Sequence, residues 1–233
     1  MEILCVQGSL GRPSRTAAMT SRVVEMLNQL NISAEFIDLS ELCLPIPDAS
    51  SDRQLHREHP DPVIRKIVTK AQAADAFVLA TPIYHNSYSG VLKCFLDHLG
   101  IQHFAHKPVA LCGNSGRTGS VQPVDHLRIV IRGLHGVAIP YQAVSRNSDY
   151  VVEGREIRSF SEDLQNRLES MVNQLIQYSI ALKPIREAIG ESHSEQLLAS
   201  RSLRSGDAAG VVGAAIADPV ALGELPSIST HGV

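Results

Sequence analysis

Two tyrosines, a histidine and a row of hydroxyl and amide groups are gathered in the stretch Ala-Thr-Pro-Ile-Tyr-His-Asn-Ser-Tyr-Ser-Gly, residues 80–90. Pro82 fixes its own φ and Gly90 permits an unusual turn, so side chains and main chain together suit a flat polar ring. A second stretch, Gly8-Ser9-Leu10-Gly11-Arg12-Pro13-Ser14-Arg15-Thr16, follows a short apolar run and opens a helical one. A helix start offers unpaired N–H groups and partial positive charge. With the hydroxyls of Ser9, Ser14 and Thr16 and the guanidinium of Arg15, it makes an enclosure for a terminal phosphate. The stretch has neither a Gly-Lys-Ser/Thr ending nor the G-x-G-x-x-G spacing, so it is not a Walker loop or a dinucleotide fingerprint. The third stretch is Gly113-Asn114-Ser115-Gly116-Arg117-Thr118-Gly119-Ser120. Its glycines let the backbone come close to a ring, and Asn114 and Ser115 can bond heteroatoms along the ring edge. Arg117 is a candidate for a phosphate of a second nucleotide, and Tyr88 for a nicotinamide contact. His56 and His59, beside Glu58 and Asp61, match no metal-ligand spacing and read as a solvated loop. No metal site is expected.

Each stretch lies where a strand gives way to a helix. Glu2 to Gln7 reads as a buried strand, and Ser14 to Leu30 as a helix capped by Ser14, with Ala17, Val23, Val24, Leu27 and Leu30 at helical spacing. Ile32 to Leu39 reads as a second strand, followed by a long proline-bearing connection from about Glu41 to Pro62, positioned to overhang a site or touch another subunit. Further elements are expected at Val63 to Ala74 (helix), Ala76 to Thr81 (strand), Val91 to Leu99 (helix), Lys107 to Cys112 (strand), Thr118 to Gly133 (helix) and Val137 to Val144 (strand). A hairpin around Glu153-Gly154 and a helix from Ser161 to Leu182, capped by Ser161, complete the pattern. Alternation of this kind makes an α/β fold with a parallel sheet covered on both faces. Its ligands sit at the carboxyl ends of the strands.

The 233 residues and net charge of −3, with charges interspersed, exclude a phosphate-tracking nucleic-acid surface and point to small molecules or protein partners. Four cysteines without a C-x-x-C pair read as free thiols. The first residues show no basic segment leading into a long apolar one, and no run approaches the ~18 apolar residues of a membrane span, so a cytoplasmic protein is expected. After Lys183 the composition changes, with no aromatic residue beyond Tyr178. The domain is therefore expected over 1–182, and 183–233 as an extension, partly helical (around Glu195 to Leu203) or disordered.

The phosphate-loop pattern, the Ala-Thr-Pro-Ile-Tyr segment and Tyr88-Ser89-Gly90-Val91-Leu92-Lys93 followed by Phe95-Leu96-Asp97 resemble the flavodoxin-like NAD(P)H-dependent FMN reductases. The similarity is greatest to the alkanesulfonate-associated members and covers roughly residues 1 to 180. It implies a three-layer sandwich with five parallel strands in the order 2-1-3-4-5. It also implies FMN held through its phosphate by Ser9, Ser14, Arg15 and Thr16, with Pro82, Ile83, Tyr84 and His85 along the ring and Gly113, Asn114, Ser115 and Gly116 closing its other side. Gly11 stands where many relatives carry an arginine, so Arg12 and Arg15 compete for the phosphate. The implied reaction is direct hydride transfer from NADPH or NADH to FMN, with no catalytic side chain. Reduced flavin would go to a partner monooxygenase or another acceptor, and the assembly would be a homodimer or homotetramer. A flavin-bound quinone or azo reductase uses the same chemistry. A non-enzymatic flavodoxin-type carrier is disfavoured by the absence of tryptophan and the modest charge.

Overall fold

The computed structural model describes residues 1–47, 59–116 and 121–205, with residues 190–205 as backbone alone. In order, the elements are β1 Glu2–Gln7, α1 Arg15–Gln29, β2 Ser33–Asp38, α2 Pro62–Ala73, β3 Ala76–Pro82, α3 Gly90–Asp97 and α4 Ile101–Phe104. They continue with β4 Pro108–Asn114, α5 Gln122–Gly133, β5 Val137–Ser145, β6 Tyr150–Glu153, β7 Glu156–Phe160 and α6 Glu162–Ser205. Residues Met1–Glu191 form one compact unit.

Strands β1 to β5 form one parallel sheet in the order β2-β1-β3-β4-β5, the flavodoxin-like arrangement the sequence implies. The two-residue period of the strands separates two apolar clusters. Leu4, Val6, Phe77, Leu79, Val109 and Leu111 face α2, α3 and α5. Ile3, Cys5, Val78, Ala80, Ala110 and Cys112 face α1 and α6. The α3 stripe of Leu92, Phe95 and Leu96, with Leu99 just past its end, is buried in the first cluster, and Val91 packs against it, so it is satisfied within the chain. Lys93 pairs with Asp97 on the outer side at 2.6 Å.

Local rules set the boundaries. Ser14 Oγ accepts from Ala17 N at 3.0 Å and caps α1, and Ser161 Oγ accepts from Leu164 N at 3.2 Å and caps α6. Strands β3 and β4 each run past the predicted ends because Pro82 stays in register with Asn114, and Ile83 N donates to Asn114 O at 2.9 Å. Helix α6 continues beyond Leu182, carrying Pro184 inside it. Arg186 ties that extra turn to the body, donating to Asp75 Oδ1 at 2.7 Å and to Asp75 O at 3.2 Å. The hairpin β6–β7 turns at Gly154, whose φ of +63° lies in the left-handed region.

Strand β5 bulges. Val109 pairs with Ala138 but Leu111 with Gln142, which leaves residues 139–141 outside the ladder. Side chains from both flanking layers take over the lost bonds. Arg128 of α5 donates to the carbonyls of Ala138, Ile139 and Pro140 and to Gln142 Oε1, while Gln174 of α6 accepts from Tyr141 N at 2.7 Å. The connection after β2 is anchored by Pro45 O, which accepts from His98 Nε2 at 2.9 Å and from Cys94 Sγ at 3.3 Å. Its residues 48–58, including His56 and Glu58, lie outside the described residues, as do 117–120.

Two buried bases sit away from the strands' carboxyl ends. Lys107 donates to the carbonyls of Ala71 and Gln72 at the end of α2, and burial pushes its amine down to about 8. His103 is fully buried, with Nδ1 accepting from Gly100 N at 2.9 Å and Nε2 without a partner among the described residues. Desolvation lowers its pKa to about 4. The folded chain therefore keeps His103 neutral while the unfolded chain binds a proton below about 6.5, so stability falls as pH drops through 6.5 toward 4. Between pH 7 and pH 5 the expected loss from this group is about 2 kcal/mol. Urea denaturation of wild type and His103→Gln at the two pH values checks it: the variant should lose less, and equal losses would show that another group is responsible.

Candidate active site

The carboxyl ends of β1, β3 and β4 bring the three stretches to one rim. A cleft of about 210 Å³ there is lined by Ser9, Pro13, Ser14, Arg15, Thr16, Pro82, Ile83, Tyr84, Asn114 and Gly116. Its first wall is the start of α1. Buried Gln7 shapes the approach: its Oε1 accepts from Ser9 N at 2.7 Å and its Nε2 donates to Ser9 O at 3.0 Å and to Asp38 Oδ1. Gly8 must be glycine, because a Cβ would come within 2.7 Å of Ser89 Oγ and 2.9 Å of Leu92 Cβ. That close approach locks the first stretch against α3.

The electrostatics of this wall suit an anion. The first turn of α1 contains no acidic residue. Arg15 Nε is buried and lacks a hydrogen-bond partner among the described residues, and its guanidinium lies 5.9 Å from the centre of the Tyr150 ring. A buried donor without a partner costs stability unless a ligand satisfies it. Arg12, the other candidate, points elsewhere: it donates to Ser40 Oγ at 3.1 Å and pairs with Glu41.

The second wall is a tight turn at the end of β3. Tyr84 and Ser87 exchange backbone bonds at 2.9 and 3.0 Å, with His85 and Asn86 both at positive φ, 49° and 65°. Thr81 Oγ1 accepts from Ser89 N at 3.0 Å and donates to Pro82 O at 2.9 Å, which fastens the turn to the start of α3. Tyr84 is 43 % exposed, a ring held open at the cleft mouth.

The third wall rests on Ser145, fully buried at the end of β5. Its hydroxyl accepts from Asn114 Nδ2 at 3.1 Å and from Tyr150 Oη at 2.7 Å, and donates to Gly113 O at 3.3 Å. Its carbonyl accepts from Ser115 N at 3.0 Å and Ser115 Oγ at 3.1 Å. Burial raises the Tyr150 phenol well above its ordinary value, so it stays a neutral donor.

Residues 1–150 match the family described as NADPH-dependent FMN reductase. The chain belongs to this family. The reductase is 37 % identical over 180 residues to the FMN-dependent NADPH-azoreductase of Staphylococcus aureus (strain USA300), covering 76 % of this chain and 95 % of that one. It is 35 % identical over 179 residues to the Staphylococcus saprophyticus protein of the same description, with the same coverage of both chains. The structure of an NADH:FMN oxidoreductase in its apo form shares the fold, with a TM-score of 0.60 at 23 % identity, covering 78 % of this chain and 90 % of that one. The reductase is thus an NAD(P)H-dependent FMN oxidoreductase, with FMN and a nicotinamide as its small-molecule partners.

Of the predicted site residues, the structure brings Ser9, Ser14, Arg15, Thr16, Pro82, Ile83, Tyr84, Asn114 and Gly116 to the cleft. His85 stands in the adjoining turn, Gly113 lies within β4, and Ser115 is buried beneath the rim. Tyr88 is half-buried against the hydrophobic cluster that α2, α3 and α5 share and is not among the residues lining the cleft. Arg117 lies outside the described residues. Sequence reasoning passed over Gln7, Thr81, Ser145 and Tyr150, which touch the site only through hydrogen bonds or ring packing. Asp38 is a further one: its Oδ1 accepts from Gln7 Nε2 and from Ser40 N and Oγ. All sit at strand ends or beside them. A search for polar residues at the carboxyl ends of predicted strands would have found four of the five, Tyr150 excepted.

Proposed function

We propose that the reductase holds FMN in this cleft and passes the electrons of NADPH through it to a further acceptor. The observation that carries the reading is the buried, unpartnered Arg15 Nε beside an acid-free helix start in a cleft walled by three loops. Ser9, Ser14, Arg15, Thr16 and the N–H groups of α1 are assigned to the phosphate. Pro82, Ile83, Tyr84 and His85 are assigned to one side of the ring, with Gly113, Asn114, Ser115 and Gly116 on the other. When bound, FMN supplies a ring that accepts a hydride, and the protein contributes orientation and electrostatics. Ser14 Oγ accepts from Ala17 N, which leaves its hydrogen free to point at a phosphate oxygen. Exposed Tyr84 leaves the ring approachable, and no side chain need move a proton.

Two acceptors are considered: a partner monooxygenase taking reduced flavin, and an azo compound or quinone reduced on the enzyme. The names of the staphylococcal relatives favour the second. We assign the flavin chemistry to residues 1–182 and treat 183–233 as an extension; the family match ends at residue 150 and the relatives align over about 180 residues. A cytoplasmic homodimer or homotetramer is part of this proposal, and the four free thiols agree with a reducing setting. No described helix is long and apolar enough to cross a membrane.

Following reduced-nicotinamide absorbance in anaerobic mixtures tests the reading. Purified protein with trace FMN and an azo dye should oxidise many equivalents of NADPH while the dye bleaches. Donor oxidation that only follows added FMN would shift the acceptor to free flavin. No oxidation with either NADPH or NADH would overturn the enzyme reading.

A further inference from the structure

A second cavity, of about 770 Å³, opens on the far side of the phosphate wall, between α1 and the β6–β7 hairpin. Pro13 and Ser14 line both spaces, so the two adjoin across the loop where the FMN phosphate is assigned. We propose that this cavity receives the adenosine monophosphate half of flavin adenine dinucleotide, so that the reductase binds FAD as well as FMN; the inference rests on the FMN assignment above.

The lining has the chemistry this half needs. Its volume falls within the roughly 300–1,000 Å³ of small-molecule sites. Ala17, Ala18 and Ile157 offer a low apolar surface for a flat base. Arg155 supplies positive charge to the lining where a second phosphate would follow the first, whereas Arg12, also in the lining, is engaged by Glu41 and Ser40. Arg155 has no ion pair or hydrogen bond among the described residues, whereas Arg158 on the same hairpin is paired with Glu153 and Glu156. Asp38 lines the cavity, and its Oδ2 has no partner among the described residues, so it can accept from ribose hydroxyls. Glu156 and Asp38 both oppose a phosphate on that ribose, which argues for the adenosine of FAD over the 2′-phosphoadenosine of NADPH.

The covalent geometry strengthens the argument. The adenylate of FAD leaves through an oxygen of the phosphate that FMN ends on, so it must emerge beside Ser14. A space open at that residue is where such a substituent goes.

Flavin-fluorescence titration and calorimetry of wild type, Ala18→Trp and Arg155→Glu with FMN and with FAD test the proposal. Neither position lines the FMN cleft, and Arg155 is an exposed hairpin residue whose substitution spares the fold. Wild type should bind FAD within about tenfold of FMN. Each variant should weaken FAD at least tenfold while leaving FMN within about twofold. FAD bound more than tenfold more weakly than FMN by wild type overturns the proposal. So does FAD binding that neither variant reduces, since the adenylate then lies elsewhere. Failure of wild type to bind FMN itself would instead remove the assignment on which this one rests.

Discussion

Arg15→Ala should raise the dissociation constant for FMN about 30- to 150-fold, the equivalent of about 2–3 kcal/mol, while riboflavin affinity changes less than about threefold. The difference isolates the phosphate. A charge-assisted bond from the buried Nε is strong, and that atom has no other partner among the described residues to fall back on. The helix N–H groups and Ser14 remain in the variant, so binding weakens without vanishing. Arg12→Ala should alter FMN affinity little, because that side chain is engaged by Ser40 and Glu41. Quenching of flavin fluorescence on titration reads both constants. Equal losses for FMN and riboflavin would show that Arg15 acts through packing against Tyr150, and not on the phosphate.

Ser145→Ala should lower stability by about 3 kcal/mol, some 6–12 °C in Tm for a domain of this size. One hydroxyl accepts from Asn114 and Tyr150 and donates to Gly113, so its loss strands a buried phenol and an amide together. The double variant Ser145→Ala/Tyr150→Phe should recover part of the loss, because the stranded phenol is gone. Thermal unfolding of the two single variants and the double one reads this coupling. Strict additivity would mean the two groups do not depend on each other. Since the Ser145 hydroxyl also holds Asn114 at the cleft wall, the single variant should raise the dissociation constant for FMN as well.

The architecture was readable because its signals are local. Ile3 and Cys5 alternate with Leu4 and Val6 to make a strand buried on both faces, and Ser14 and Ser161 announce helix starts. Most of the site was readable for the same reason: its residues cluster in loops that follow apolar runs. The supports of those loops were not. Ser145 and Tyr150 belong to the third loop only through bonds that cross from another strand and a hairpin, over about 30 residues of chain in the case of Asn114 and Ser145. Tyr88 shows the opposite limit. A tyrosine in a loop can face a ligand or a core with the same neighbours in sequence, and only packing sets it against the core. Helix α6 runs past the Leu182 at which its apolar period ends, and the distant Arg186–Asp75 pair, invisible in the local sequence, holds the turn that follows.

The bulge in β5 bears on how copies of this molecule can meet. An outermost strand is normally a template onto which a foreign strand can be added, extending one sheet into the next. Here Arg128 occupies three consecutive main-chain oxygens and Pro140 offers no hydrogen to a newcomer. Addition of a foreign strand along the bulged part of this margin is therefore opposed from within the chain, a local safeguard built largely from a single guanidinium.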